Sequence, residues 1–94
     1  MKKYVIERDI PGVGGMSPAE LGDACTKSNR ALADLGPSIQ WQHSYVAGDK
    51  TFCVYLAENE EAIRRHAEKS GFPATRITEV ATIIDPTSGN AVPA

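Results

Sequence analysis

Cysteine is scarce in this chain: two residues in 94, Cys25 and Cys53. Two thiols make no disulfide framework, and they lack the CxxC spacing of a redox pair or a zinc half-site. They read as reduced thiols of a cytoplasmic protein. Long apolar runs are also missing, and nothing approaches the ~18 residues of a membrane span. The segment Met1–Glu7 reaches a glutamate before any apolar stretch of signal length, which again favours the cytoplasm. Basic charge is not in excess: 10 Lys and Arg stand against 12 Asp and Glu, a net charge of −2. No local Lys/Arg cluster compensates, so neither nucleic acid nor a membrane is an expected partner. The glycines of Gly12-Val13-Gly14-Gly15 are followed by no Lys-Ser/Thr pair and lack dinucleotide-binding spacing, and Glu7 and Asp9 flank them. They read as a turned connector. No Ser/His/Asp order stands out as a triad, and no catalytic residue is assigned.

What is present fits one folded domain. The chain is 41% hydrophobic, enough for one modest core. A weakly alternating strand is expected over Lys3–Asp9. Ser17-Pro18-Ala19-Glu20 then opens a helix: serine caps, proline suits the first helical position, and Glu20 completes a capping box. The helix runs to Leu35, where Gly36-Pro37 stops it. Its apolar stripe takes Leu21, Ala24, Cys25, Ala31, Leu32 and Leu35, with Cys25 read as a small buried hydrophobe. Two strand-like runs follow, Ile39–Val46 and Thr51–Leu56, around a turn at Ala47-Gly48-Asp49-Lys50. Asn59 caps a second helix that ends at Gly71-Phe72-Pro73, with Ala62, Ile63, His66 and Ala67 on one side. A last strand is expected over Arg76–Ile84, closed by Asp85-Pro86. Residues 1–88 thus form the domain and 89–94 a loose tail.

The order β-α-β-β-α-β predicts an α+β ferredoxin-like fold, a four-stranded antiparallel sheet with two helices on one face. Such a sheet should be polar on its other side. Here Trp41, Tyr45, Phe52, Tyr55, Val5, Val80, Ile83 and Ile84 cannot all face one helix layer. A second copy of the chain on the open face resolves this, so a homodimer is expected.

The hairpin carries one of the two histidines and one of the two cysteines. A two-residue loop at Gly48-Asp49 pairs Tyr45 with Phe52, His43 with Val54 and Trp41 with Leu56. It sorts the apolar residues well and puts His43 and Cys53 on opposite faces. Imidazole suits Ni, Zn or Cu, and a thiolate would add affinity. One chain offers few donors, so a metal site would draw on another element or another copy. His66 borders the core, and Trp41, Tyr45, Phe52 and Tyr55 are candidates to line a pocket or an interface.

Three groups of residues resemble one small bacterial family, long carried as a domain of unknown function and later described as nickel-binding and ferredoxin-like. They are Tyr4–Gly12, the Ile39-Gln40-Trp41…His43-Ser44-Tyr45-Val46 run with Cys53-Val54-Tyr55, and Glu60–Ala67 with Gly71-Phe72-Pro73 and Ile84–Thr87. The likeness covers about residues 3–88. It implies a dimer that binds Ni²⁺, with His43, Cys53, His66 and Glu7 as the positions able to inherit that role. Three functions are therefore in play: nickel sequestration or handling without catalysis, a small-molecule enzyme with an aromatic-lined pocket and His43 as acid/base, and a structural or regulatory dimer without cofactor.

Overall fold

The computed structural model describes residues 1–90. Strand β1 (Lys2–Asp9) leads through a short turn at Val13–Gly15 into helix α1 (Pro18–Leu35). The hairpin β2 (Ile39–Ala47) and β3 (Lys50–Ala57) follows, then helix α2 (Glu60–Ser70) and strand β4 (Arg76–Glu79). The sheet is antiparallel throughout, in the order β2-β3-β1-β4. Both helices lie side by side on one face. This is the expected ferredoxin-like arrangement. Of the expected tail, residues 91–94 lie outside the described residues, while Pro86–Asn90 forms a single 3₁₀ turn. Among the described residues no helix is long and apolar enough to cross a membrane.

Local chemistry explains the helix ends. The Glu20 amide donates to Ser17 Oγ at 3.2 Å and the Ser17 amide donates to Glu20 Oε1 at 3.1 Å, a complete capping box behind Pro18. Asn59 Oδ1 accepts from the Ala62 amide at 3.0 Å and starts α2. Gly71, at φ 78°, closes α2 in the left-handed conformation that glycine adopts without penalty.

Alternation along the strands sorts the sheet into two faces. Tyr4, Ile6, Cys53, Tyr55, Ala57 and Ile39 point under the helices and meet Ala62 and Ile63 of α2 in the core. Leu32 and Leu35 of α1 pack at its margin. Val5, Phe52, Val54 and Leu56 lie half-buried on the other face, which no described helix covers.

Three expectations need correction. Trp41 pairs with Tyr55 and not with Leu56, because a β-bulge between Trp41 and His43 inserts one extra residue. Below the bulge the expected register holds, with Tyr45 opposite Phe52 and His43 opposite Val54. Above it, Trp41 is turned under the helices, where its ring stacks on Tyr55 with centroids 6.5 Å apart and Nε1 donates to Ser44 Oγ at 2.9 Å. Burying the indole against the core outweighs the ladder regularity lost at Gln42. The last strand ends at Glu79 instead of Ile84. With Glu79 opposite Tyr4, β1 has only Lys3 and Lys2 left to pair; the Val80 amide still donates to the Lys3 carbonyl, and Ile83 and Ile84 are exposed. Cys25, expected to be buried, is exposed on α1.

The glycine-rich connector is a turn tied to the hairpin. The Gly14 amide donates to the Gly48 carbonyl at 2.7 Å, and the Gly12 amide donates to Asp49 Oδ1 at 2.8 Å. A Cβ on Gly14 would stand 2.8 Å from the Gly48 oxygen and 2.9 Å from its nitrogen, both backbone atoms that cannot swing aside. Gly14→Ala is therefore expected to cost about 1–3 kcal/mol, the range for overpacking. Denaturant unfolding measures this, and an unchanged midpoint would show that the two loops separate freely.

Candidate functional site

The four residues expected as metal donors fall on opposite sides of the sheet. His43 is exposed on the open face, its ring edge-on to Tyr45 at 5.2 Å. Glu7 lies on the same face two strands away, in the row Tyr45–Phe52–Glu7–Arg76. It is already compensated by Lys50 Nζ at 3.6 Å and Arg76 Nε at 3.9 Å. Cys53 and His66 are buried on the helix side. The Cys53 thiol donates to Thr51 Oγ1 at 3.4 Å. His43, Cys53, His66 and Glu7 thus do not make one site within a chain. Among the described residues no group of three or more His, Cys, Asp and Glu side chains could hold a metal ion.

The four expected aromatics divide in the same way. Tyr45, at 61% exposure, and Phe52 belong to the open face, whereas Trp41 and Tyr55 stack beneath the helices. The bulge causes this split. On the helix side it leaves a cavity of about 110 Å³ between the sheet and the first half of α1. Small residues on α1, Ala24 and Ser28, face large ones on the sheet, Trp41 and Tyr55, and do not fill the space above them. The turn at Val13 walls one end, and Cys25 lines the cavity while remaining exposed. His43 is not among the lining residues, so it cannot act as acid or base there.

Beside this cavity lie two buried polar groups that the sequence reading passed over, Arg8 and Ser28. His66 Nε2 is 3.3 Å from the Ser28 carbonyl and 3.1 Å from Ser28 Oγ. A carbonyl only accepts, which places the proton on Nε2 and leaves Nδ1 bare; Nδ1 is buried without a partner among the described residues. Burial, more than any other influence, lowers the His66 pKa from 6.5, with the Arg8 charge acting the same way. Tyr55, 5.3 Å from His66, has its hydroxyl pKa raised, again chiefly by burial. Arg8 is only 3% exposed and makes no ion pair among the described residues. Its Nη1 donates to the carbonyls of Pro73 at 3.0 Å and Phe72 at 3.4 Å, and its carbon Cζ stands 5.9 Å from the Tyr55 ring centre. The signal for Arg8 was available, since it continues the inward phase of Tyr4 and Ile6. A charge at that phase is easily taken for a strand end.

The His66 geometry sets an acid response. Because the folded protein holds His66 neutral below its ordinary 6.5, the unfolded chain binds more protons in that interval. The stability due to this group is complete above about 6.5 and is lost as pH falls through that value towards the folded pKa. The melting temperature is expected to fall between about pH 7.5 and about pH 5, and His66→Leu is expected to flatten that part of the curve. A wild-type profile level through the whole interval would contradict the buried neutral imidazole. Glu20 and Asp85 have lowered pKa values and respond only at more acid pH, so their titration falls outside this interval.

A crystal structure of SCO4226 from Streptomyces coelicolor A3(2) matches with a TM-score of 0.71, covering 87% of this chain and 99% of that one at 19% identity. At that identity the likeness shows the fold alone. No curated protein is significantly similar in sequence. The profile of a family described as nickel responsive protein SCO4226-like matches residues 4–80, nearly all of the sheet and both helices. The chain belongs to the SCO4226-like family of nickel responsive proteins.

Proposed function

We propose that this protein binds Ni²⁺ between two copies packed through their open sheet faces, and that it holds or hands on the metal without turnover. One observation carries the reading. Of the four candidate donors His43 is the one exposed, on the face that no described helix covers, while Cys53 and His66 are buried and hydrogen-bonded on the other side. Imidazole is a good nickel donor, and membership of a nickel responsive family supplies the metal. A two-fold axis through the open face would present each donor twice, completing a set that one chain lacks.

The face has the character of an interface. The row His43–Val54–Val5–Thr78 crosses it, with Leu56 and Phe52 on either side of Val54. Three strands of eight or nine residues and a fourth of four, about 4.8 Å apart, give a plane roughly 20 Å wide that is roughly 25 Å long over the three longer strands. Roughened by side chains, that area approaches the roughly 800 Å² per partner of a standard interface. The enzyme reading with His43 as acid or base has no support in this geometry, because the cavity opens on the opposite side of the sheet.

Metal analysis of untagged protein tests the proposal. Nickel is expected to be retained by the wild type. His43→Ala is expected to weaken binding by more than the roughly 10–100-fold that loss of an outer-shell partner costs. Glu7→Gln is expected to matter less, since Lys50 and Arg76 already neutralise Glu7. Equal, near-zero nickel in wild type and His43→Ala would remove the reading.

A further inference from the structure

Apart from Met1, the large apolar side chains that the described residues expose fall on two segments: Tyr45 and Val46 on β2, Ile83 and Ile84 beyond β4. The first segment lies on a bare edge. β2 pairs with β3 on one side and with no described strand on the other. Edges of this kind are normally blunted by charge, proline or brevity. β4, at the opposite edge, follows that rule: it has four residues, Arg76 and Glu79 among them. β2 does not. Its nine residues include no Lys, Arg, Asp, Glu or Pro, and below the bulge His43–Ala47 runs in regular register.

The second segment is a strand without a sheet. Four of the five residues Val80–Ile84 are apolar, four are of strand-favouring β-branched type, and Asp85-Pro86 closes the run. The Val80 amide bonds to the Lys3 carbonyl; after it, no backbone group of Ala81–Ile84 makes a hydrogen bond among the described residues. The radius of gyration is 15.0 Å, against about 12 Å for a compact domain of this length, as expected when a segment stands clear of the body. Within one chain the two segments are kept apart. Val80 lies beside Lys3 at the start of β1, whereas Ala47 faces Lys50, which pairs with Asp9 at its end, so they occupy diagonally opposite corners of the sheet. Five extended residues reach about 17 Å, too short to cross to Ala47 and lie along β2.

We propose that the segment Val80–Ile84 of one copy adds as a strand to the free edge His43–Ala47 of a second copy, and that the exchange is reciprocal. The two segments match at five residues each, and main-chain hydrogen bonds satisfy both. Neighbouring residues of a strand point to opposite faces, so one isoleucine on each face meets Tyr45 or Val46 across the new ladder. Edge pairing uses main-chain groups and leaves the His43 side chain on the open face. The inference rests on the two-copy reading above and fits its geometry. A two-fold axis between the open faces, along the diagonal from Ile39 to Arg76, exchanges the Val80 and Ala47 corners. The exchanged segments also add area to a face that alone only approaches a standard interface.

Two measurements on the full untagged chain test the exchange. The double variant Ile83→Lys, Ile84→Lys changes side chains that one copy exposes, so each copy is expected to keep its fold. Its dimer is expected to dissociate at least about tenfold more readily in a sedimentation dilution series. To locate the segment, Ile83 is replaced by the photo-cross-linker benzoylphenylalanine, and isotope-labelled and unlabelled chains are refolded together. Mass spectrometry is expected to find labelled-to-unlabelled cross-links that land in residues 43–47. Undiminished association of the double variant, cross-links confined to one chain, or cross-links between copies that land elsewhere would each overturn the proposal. Val54→Asp, on the open face, separates this contact from the face contact. A dimer that survives Val54→Asp but not the double variant removes the face contact and supports the exchange; the reverse removes the exchange and leaves the face contact. A wild-type monomer throughout the series overturns both.

Discussion

Tyr55→Ala is expected to cost about 3–5 kcal/mol, the range for truncating a buried aromatic. A domain of this size has roughly 5–15 kcal/mol in total, so the variant should be largely unfolded by mild denaturant. Tyr55 earns that weight by its position. It is 2% exposed, in the middle of the sheet, with Trp41 stacked on one side, His66 at 5.3 Å and the Arg8 guanidinium nearby. Removing it would join its own volume to the adjoining cavity, leaving Trp41 and His66 without their common support. Tyr55→Phe keeps the ring and is expected to lose only about 1 kcal/mol. Equilibrium unfolding in urea separates the two, and a loss below about 1 kcal/mol for Tyr55→Ala would mean the core is organised elsewhere.

The second large effect concerns assembly. Val54 stands at the middle of the open face, between His43 on β2 and Val5 on β1. In a dimer packed through that face, Val54→Asp would place a carboxylate from each copy in an apolar contact near the two-fold axis. Desolvation and like-charge repulsion together are expected to weaken association by orders of magnitude. The monomer should keep its fold, since Val54 does not point into the core. Sedimentation would then find a folded monomer for Val54→Asp beside a wild-type dimer. An unaltered mass for the variant would place any interface elsewhere.

The elements were legible in the sequence because their signals are local. Ser17-Pro18-Ala19-Glu20 and Asn59 cap their helices through bonds spanning three residues, and Gly48-Asp49 fixes the hairpin turn within the turn itself. Face assignment survived as far as the bulge, so His43 and Cys53 were correctly read as pointing apart. The bulge was hidden because its cause is distant: Trp41 turns inward to meet Tyr55 and the space left beneath the small residues of α1. The same distance hid the early end of β4, which depends on where β1 runs out of residues to pair. Arg8 escaped notice for a different reason. The inward phase that buries it was readable, but its partners, the Phe72 and Pro73 carbonyls, lie more than sixty residues away. The donor list suffered most: the apolar side that His66 shares with Ala62 and Ile63 was readable, but its bond to the distant Ser28 leaves no trace in local pattern.

The most direct test of the central claim is nickel titration of untagged protein with the mass followed by sedimentation. The account requires a particle of twice the 10.1 kDa chain mass that takes up Ni²⁺ and loses it in His43→Ala. A protein that binds nickel with undiminished affinity as a 10.1 kDa monomer would contradict it, because one chain brings no three such donors together among its described residues.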